Sequence, residues 1–419
     1  MMSFSYRLGN FLCKRRKNII NGGINLAIKK IGIMTGGGDC PGLNAVIAAA
    51  VKTAVNEYGL EVVGIKNGYR GLYLGESQVV PLHADTVSDI IGEGGTILYN
   101  SNKDNLFKYP RRDKNGIIKG EDGKPIYDNL SHVAVENLKK LNIDALIIIG
   151  GDGTLTSGRD FARLGVPVMG VPKTIDNDLN STDITFGFDT AVARCVEGAA
   201  SINTTGIAHH RVMVMEVMGR EAGHIALHTG IASGADVILI PEIDYDINIV
   251  AKKAVEALKS ERQYCLMVVA EGVSSPWGGK AGVSTDLSPD GFKFKGAGEA
   301  VASAVQEIIN NNRDENGYAI SETIMDVEAR ATVMGHVQRG GSPTAYDRVL
   351  CSRYGKKAVE ALMEGKKGDM VALKGSVLTT VSLEEVIPSD DMHSNFRPVD
   401  VNGELVELAR TMGISFGDK

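Results

Sequence analysis

The stretch Ala145-Leu146-Ile147-Ile148-Ile149-Gly150-Gly151-Asp152-Gly153-Thr154 joins an unbroken apolar run to a glycine-rich acidic loop. A short apolar run bounded by turn residues is typical of a parallel strand that is buried on both faces. Gly151 and Gly153 lack a Cβ, so an anion can approach the backbone closely. Asp152 is a hard oxygen ligand, suited to Mg²⁺ held together with substrate phosphates. The stretch therefore predicts a buried strand that ends in a phosphate-binding loop.

A second apolar run, at residues 166–171, leads into Pro172-Lys173-Thr174-Ile175-Asp176-Asn177-Asp178. Asp176 and Asp178 occupy alternate positions, so an extended chain turns both carboxylates to one side. One carboxylate can act as a general base while the other orients or tunes it. In an open α/β sheet, ligands bind outside the carboxyl ends of the strands. Each loop alone is as typical of a tight turn, but the two together predict a phosphate-handling site.

Strands and helices alternate through the rest of the chain. Residues 31–35 form an apolar strand that runs into the glycine loop 36–42 and a helical pattern at 43–58, an arrangement that suits a phosphate at a helix N-terminus. Further strands are predicted at residues 61–65, 145–149, 166–171, 211–220, 236–240, 264–272 and 329–335. Further helices are predicted at residues 84–92, 132–141, 155–164, 187–205, 222–232, 247–259, 296–311 and 345–363, with a short tail after the last. We expect an α/β fold of two doubly wound Rossmann-like domains with mostly parallel sheets and the active site in the cleft between them.

Composition limits the partners. The 419 residues carry a net charge of −6 at pH 7, and the length predicts two domains. No basic stripe with interleaved aromatic residues indicates a nucleic-acid partner. No apolar stretch is long enough to span a membrane. The five cysteines are scattered and form no CxxC pair, which favours a reduced compartment and a cytoplasmic location.

Two segments are predicted to lie outside the alternating core. Residues 1–28 are rich in Lys and Arg, contain no acidic residue and lack the continuous apolar region of a secretory signal. We interpret them as a disordered N-terminal extension. Residues 101–128 are polar and rich in Lys, Asp and Gly, which indicates a surface insertion, either a mobile loop or a small hairpin.

The motifs, taken together and in their order, resemble those of the 6-phosphofructokinases of the phosphofructokinase A family. The resemblance covers about residues 29–365, and it rests on Gly36–Asn44, Gly150–Thr154, Pro172–Asp178, Met218–Arg220, Pro241-Glu242 and Gly335–Gly341. The Gly-Gly-Asp-Gly-Thr segment alone also resembles the signature of NAD kinases and lipid kinases, which have no counterpart of the other motifs. The family transfers a phosphoryl group to the 1-hydroxyl of fructose 6-phosphate and uses Mg²⁺.

The resemblance gives roles to residues that match the family motifs. It implies that the donor, ATP or diphosphate, is held by Gly38, Gly151, Asp152, Gly153 and Thr154, with Asp152 as the Mg²⁺ ligand. Members commonly have an arginine at the position of Asn102, so the phosphate contact there falls to Asn102 or to the neighbouring Lys103.

The resemblance also implies a catalytic set. Asp176 is the expected base for the sugar hydroxyl, Thr174 and Asp178 flank the transferred phosphoryl group, and Arg220 stabilises its charge. The full set expected to bind the sugar phosphate is Thr174, Ile175, Asp176, Arg211, Met218, Gly219, Arg220, Glu242, Arg330, His336 and Arg339. In the family, the counterparts of Arg211 and Arg330 come from a neighbouring subunit, which implies a homo-oligomer, either a dimer or a tetramer. The expected domains are residues 29–187 plus 336–388 for nucleotide and Mg²⁺, and residues 188–335 plus 389–419 for the sugar phosphate.

Two positions bear on the phosphoryl donor. Gly153 leaves room for the α-phosphate of ATP, where pyrophosphate-dependent relatives usually have an aspartate. Lys173 favours pyrophosphate, because the best-known bacterial ATP-dependent enzymes have glycine there. Steric exclusion is harder to evade than an added charge, so ATP is the expected donor and diphosphate the alternative. A catalytically inactive regulatory subunit is a third interpretation, against which the presence of Asp152, Asp176 and Arg220 argues.

Overall fold

The computed structural model describes residues 28–101, 104–114, 116–276, 296–311, 327–389 and 395–419. Its strands, in chain order, are β1 (Lys30–Thr35), β2 (Glu61–Ile65), β3 (Val79–Leu82), β4 (Tyr109–Pro110), β5 (Arg112–Asp113), β6 (Gly116–Ile117), β7 (Tyr127–Asp128), β8 (Ala145–Gly150), β9 (Val168–Pro172), β10 (Val212–Val217), β11 (Val237–Leu239), β12 (Cys265–Ala270), β13 (Ala329–Val333), β14 (Asp369–Lys374) and β15 (Val377–Ser382).

The α-helices of the same described residues are α1 (Leu43–Tyr58), α2 (Gly68–Leu74), α3 (Ser131–Lys140), α4 (Asp152–Arg163), α5 (Phe188–His209), α6 (His224–Ser233), α7 (Ile247–Lys259), α8 (Ala297–Asn311), α9 (Ala345–Met363), α10 (Leu383–Val386) and α11 (Glu404–Thr411). Short 3₁₀ helices lie at Gly75–Gln78, Asp85–Val87, Ile90–Gly92 and Gly335–Arg339. None of these described helices is both long and apolar enough to cross a membrane.

The strands form two main sheets, which confirms the predicted fold class. Within the described residues the larger sheet has the order β15-β14-β9-β8-β1-β2-β3, and the smaller has the order β11-β12-β10-β13. Strands β14, β9, β8, β1 and β2 run parallel, with antiparallel strands at both edges, and the smaller sheet is entirely parallel. Helices cover both faces, so two α/β units of the doubly wound type are present.

Strand β8 lies at the centre of the larger sheet, and all six of its residues are buried. Ile147 and Ile149 pack into the hydrophobic core on one face, while Leu146 and Ile148 pack into a second core on the other. Alternate side chains of a strand point to opposite faces, so a sheet covered on both sides needs an apolar residue at every position. This explains why the run is continuous rather than alternating.

Helices α1 and α9 pack closely together and fix the glycine loop that precedes α1. A Cβ on Gly355 of α9 would lie only 2.4 Å from the carbonyl oxygen of Val46 in α1. The contact therefore requires glycine at this position, because a side chain would force the helices apart. The close packing places the start of α1, and with it residues 36–42, at the edge of the larger sheet.

Several predicted elements differ from the observed ones. The helix predicted at 155–164 begins at Asp152, so Asp152, Gly153 and Thr154 form its first turn rather than a loop. The helix predicted at 84–92 is two separate 3₁₀ turns. The insertion contains one small hairpin, β5–β6, between the paired antiparallel strands β4 and β7. The predicted short tail is wrong, because β14, β15, α10 and α11 follow α9.

The C-terminal residues return to the smaller sheet. The amide of Ile238 donates to the carbonyl of Ser415 at 2.9 Å, and the amide of Ser415 donates to the carbonyl of Asp236 at 3.0 Å. Helix α9 and the β14–β15 hairpin pack on the larger sheet instead. Residues 1–27 lie outside the described residues, and the exact domain boundaries stay a prediction.

Candidate active site

Three loops meet at the carboxyl ends of β1, β8 and β9. These strands are parallel neighbours, so their carboxyl ends lie at one edge of the larger sheet. The Nζ of Lys173 donates a close hydrogen bond to the carbonyl of Gly38. A Cβ on Gly36 would lie 2.7 Å from the hydroxyl oxygen of Thr154. The two glycine-rich segments and the loop after β9 are therefore in direct contact.

Asp176 is buried in the loop after β9, and its carboxylate is only partly used by the protein. Its Oδ2 accepts from the hydroxyl of Thr174 at 3.2 Å, and its own amide donates to that hydroxyl oxygen at 3.1 Å. Its Oδ1 is buried and has no hydrogen-bond partner in the described structure. Most buried side-chain oxygens of proteins accept a hydrogen bond. The geometry leaves one basic oxygen available to a ligand.

Asp178 lies beside Asp176 on the same loop. Burial raises the pKa of Asp178 to about 7, and the charges of Asp176 and Asp152 add to this, while Arg220 opposes it. Asn177 between them has φ 53°, a left-handed conformation that asparagine tolerates. Its Oδ1 accepts from the amide of Thr185 at 2.9 Å. This bond fixes the turn that presents the two aspartates.

Arg220 reaches the same place from the smaller sheet. It follows β10, and its Nη1 lies 3.7 Å from Oδ1 of Asp152. Its φ is 53°, and the preceding Gly219 has φ 146°, so the chain turns sharply here. The carboxyl ends of the two sheets therefore face each other across a site that contains Asp152, Asp176, Asp178 and Arg220.

Glu271 was missed by the sequence reasoning. Its Oε1 accepts from the amides of Arg220 at 3.0 Å and Gly219 at 3.3 Å, so it holds the turn that presents the arginine. Burial, opposed by the hydrogen bond from the Arg220 amide and aided by the nearby charge of Asp176, raises the pKa of Glu271 to about 7. One signal is present in the sequence, because Glu271 comes directly after the buried strand β12, and Asp152 likewise comes within two residues of the end of β8.

The segment after β13 contacts both the end of β10 in the smaller sheet and the glycine loop of the larger sheet. The amide of Met218 donates to Oε1 of the buried Gln338 at 3.1 Å. Arg339 donates from Nη1 to the carbonyl of Asp39 at 3.2 Å, so it contacts the glycine loop of the larger sheet. His336 is exposed in the same 3₁₀ helix. The structure thus brings Met218, His336 and Arg339 to the edge where Arg220 lies.

Two predicted residues, Glu242 and Ile175, make other contacts, and two more lie outside the described residues. Both oxygens of Glu242 accept from the amide of Gly223, and one also accepts from the amide of Val399 at 2.8 Å, so the carboxylate anchors the C-terminal segment. The side chain of Ile175 is fully buried in the hydrophobic core, which leaves only its backbone for a ligand. Asn102 and Lys103 lie outside the described residues.

Arg211 and Arg330 lie at the opposite edge of the smaller sheet. Arg211 immediately precedes β10 and Arg330 is the second residue of β13, so both are at amino ends, whereas Arg220 is at a carboxyl end. Their guanidinium groups share Glu328, at 2.5 Å and 3.0 Å. Within one chain these two arginines are not brought to the site.

The residues at the site suit a magnesium ion that arrives with phosphates. No group of three or more His, Cys, Asp or Glu among the described residues could hold a metal alone. Mg²⁺ is usually bound by one or two carboxylates plus substrate phosphates. Asp152 fits that requirement, because its partly exposed carboxylate is at the N-terminus of α4, close to the charge of Asp178.

These features define a class of protein, an α/β fold in which glycine-rich and acidic loops at the carboxyl ends of strands from two sheets meet in one candidate site. The phosphofructokinase family model matches residues 30–362, and the chain belongs to that family. It is similar to ATP-dependent 6-phosphofructokinase 2 of Clostridium perfringens, with 50% identity over 393 residues that cover 93% of this chain and 99% of the relative. It is also similar to the pyrophosphate–fructose 6-phosphate 1-phosphotransferase of Streptomyces coelicolor, with 42% identity over 360 residues, 85% of this chain and 94% of the relative.

Solved structures agree on the fold. A phosphofructokinase from Saccharomyces cerevisiae aligns with a TM-score of 0.69 and 26% identity, over 93% of this chain and 48% of that chain. A pyrophosphate-dependent phosphofructokinase from Nitrosospira multiformis aligns with a TM-score of 0.69 and 21% identity, over 94% of this chain and 93% of that chain.

Proposed function

We propose that this chain is an ATP-dependent 6-phosphofructokinase, which converts fructose 6-phosphate and ATP to fructose 1,6-bisphosphate and ADP in glycolysis. The single observation that carries the proposal is the position of Asp176. Its Oδ1 is buried and unpartnered, on a loop whose Asp178 feels the charges of both Asp152 and Arg220. A base so placed can serve an acceptor hydroxyl on one side while the donor phosphates occupy the other.

The reaction then follows from the roles of the side chains. Asp176 takes the proton of the sugar 1-hydroxyl, and that oxygen forms a bond to the terminal phosphorus of ATP as the bond to the ADP oxygen breaks. Thr174 orients Asp176 through its hydroxyl. Arg220 and the amide groups at the start of α4 stabilise the charge that develops on the transferred group. Asp152 would hold Mg²⁺, which would neutralise part of the negative charge of the donor phosphates.

The donor is proposed to be ATP, with Gly38, Gly151, Gly153 and Thr154 along its phosphates. Diphosphate is the second candidate, and one observation favours it. The ammonium group of Lys173 is buried against the carbonyl of Gly38, where a short donor would end. We rank ATP first because Gly153 has no side chain that would exclude the α-phosphate of ATP. Lys173 only adds a charge, which does not exclude ATP.

The sugar phosphate is proposed to bind against the smaller sheet. Residues 29–187 plus 336–388 form the proposed donor domain, and residues 188–335 plus 389–419 form the proposed sugar-phosphate domain. Met218, Gly219, His336 and Glu271 surround the sugar in this proposal, and Arg339 binds the 6-phosphate bidentately. Glu242, as a sugar contact, remains a prediction alongside its observed bond to Val399.

We further propose a homo-oligomer in the cytoplasm. Arg211 and Arg330 are held by Glu328 at the far edge of the smaller sheet, so they can serve a sugar phosphate only in another copy of the chain. The four cysteines in the described residues are all buried and unpaired, in agreement with a reduced compartment.

The test is the initial rate with fructose 6-phosphate and Mg²⁺, with ATP and diphosphate compared at equal concentration. A far higher kcat/KM with ATP supports the proposal and makes Lys173 an auxiliary phosphate contact. A higher kcat/KM with diphosphate makes the enzyme a reversible phosphotransferase. Absence of turnover with both donors, together with retained binding of fructose 6-phosphate, identifies a regulatory subunit instead.

A further inference from the structure

The C-terminal segment 395–399 runs beside the loop that carries the two aspartates. The side-chain amide of Asn180 donates to the carbonyl of Asn395 at 2.7 Å, and Leu179 and Phe396 form an antiparallel bridge. The amide of Arg397 then donates to the carbonyl of Asp178 at 2.6 Å. The segment therefore acts as a short extra strand along residues 178–180.

The side chain of Arg397 donates hydrogen bonds to two separate parts of the same loop. Its Nη2 donates to the carbonyl of Asn177 at 2.8 Å. Its Nη1 donates to the carbonyls of Thr182 at 2.7 Å and Asp183 at 3.0 Å. One planar guanidinium thus satisfies three backbone carbonyls that the turn leaves without strand partners. A lysine has the charge but lacks the fixed fork that spans them.

The other side of the segment is held by the smaller sheet. The carbonyl of Arg397 accepts a hydrogen bond from Nε2 of His224 at 3.0 Å. Because a carbonyl can only accept, Nε2 carries the ring proton. The amide of Val399 donates to Glu242. His224 begins α6, so this segment connects an element of the smaller sheet to the loop after β9 of the larger sheet.

We propose that Arg397 is a positioning residue for phosphoryl transfer, which fixes the loop 174–183 so that the carboxylates of Asp176 and Asp178 keep their places relative to Arg220. The inference rests on the proposed kinase activity. The hydrogen bonds of the guanidinium all go to backbone carbonyls of the loop, so its loss displaces the carboxylates without removing any group that contacts substrate. A displacement of about 1 Å at reacting atoms can cost about 100-fold in rate.

The test compares Arg397→Lys and Arg397→Met with Arg410→Lys in the full-length chain. Arg410 is a matched control, because it lies in the same C-terminal region and pairs with Asp418 at 2.7 Å and 2.9 Å, away from the loop. For each variant, kcat, the KM of both substrates, Tm and the hydrogen exchange of residues 174–185 are measured. Wild-type turnover in the same assay establishes the activity first.

We expect Arg397→Met to lower kcat about 10- to 100-fold and Arg397→Lys to lower it less, with both KM values close to wild type. Exchange within residues 174–185 rises in both variants, while Arg410→Lys matches wild type in kcat and in exchange. If wild type is active and both Arg397 variants keep its kcat, the inference is wrong. The inference is equally wrong if kcat falls only in proportion to the fraction of unfolded protein. The milder Arg397→Lys variant distinguishes such unfolding from displacement of the loop. An inactive wild type contradicts the proposed function instead.

Discussion

The guanidinium of Arg220 lies 3.7 Å from the carboxylate of Asp152, and this pair joins the carboxyl ends of β10 in the smaller sheet and β8 in the larger one. Both side chains are partly exposed, so their attraction contributes little to the stability of the fold. The pair matters because of where its two members lie. Asp152 is the proposed ligand of the donor metal, and Arg220 is the proposed partner of the transferred group. Glu271 holds the turn that carries the arginine, because its carboxylate accepts hydrogen bonds from the backbone amides of Gly219 and Arg220. The donor and acceptor sides of the site are thereby held in one arrangement.

The first prediction concerns the base. Replacement of Asp176 by Asn keeps the volume and the contact with Thr174 but removes the proton acceptor. We expect kcat to fall by about two to four orders of magnitude, while fructose 6-phosphate still binds. Steady-state rates and equilibrium binding of the sugar phosphate check both parts. Near-normal turnover would remove Asp176 from the proposed role, and loss of binding would indicate a disturbed loop.

The second prediction concerns the donor. Gly153→Asp places a carboxylate in the first turn of α4, beside the proposed phosphates. Its charge and volume oppose the α-phosphate of ATP more than the shorter diphosphate. We expect kcat/KM to fall further with ATP than with diphosphate when both are assayed on the same preparation. Because each donor serves as the control for the other, equal losses would mean that the steric argument is incorrect.

The fold and half of the site follow from local sequence patterns, as β8 illustrates. Its apolar residues face two cores, and the Gly-Gly-Asp-Gly segment comes at its end. One stretch of sequence therefore predicts the strand, its burial and the candidate ligand site. The start of α4 at Asp152 was not predicted, because glycine and aspartate usually indicate loops. An aspartate in a first turn is nevertheless favoured by the helix dipole.

The remaining part of the site depends on contacts between distant residues. Arg397 binds the carbonyl of Asn177 across 220 positions of the chain, and no local pattern near Arg397 indicates it. The resemblance predicts Arg211 and Arg330 as sugar-phosphate ligands, yet the fold of one chain places them away from Arg220. Such relationships arise from tertiary or quaternary packing, which periodicity and spacing do not encode.

The third prediction concerns pH and stability. Burial and neighbouring carboxylates raise the pKa of Asp178 to about 7, against an ordinary value of 3.8. The folded state therefore binds this proton more tightly than the unfolded state, and its contribution to stability is lost as pH rises from about 4 through 7. Asp178→Asn removes the charge and keeps the shape. We expect the Tm of the variant minus that of wild type to become more positive from pH 5.5 to pH 8.

Thermal unfolding at several pH values, in buffers of constant ionic strength, checks this outcome. Asp183→Asn on the same loop is the matched control, because the carboxylate of Asp183 accepts from the amide of Gly375 at the surface. A Tm difference for Asp178→Asn that stays constant over the range would show that Asp178 does not titrate there.

The fourth prediction concerns the sharing of sites between copies of the chain. If Arg211 and Arg330 bind the 6-phosphate in a neighbouring subunit, Arg211→Ala raises the KM for fructose 6-phosphate and leaves the donor KM near wild type. An oligomer formed from Arg211→Ala and Asp176→Asn subunits then contains some sites with an intact Asp176 from one chain and an intact Arg211 from the other. We expect co-expressed hybrids to recover activity at low fructose 6-phosphate, beyond the average of the two parent variants. A matched mixture of Asp176→Asn with Asp178→Asn, which both alter the same loop, would gain nothing. Activity of the first hybrid equal to the parental average would mean that each chain completes its own site.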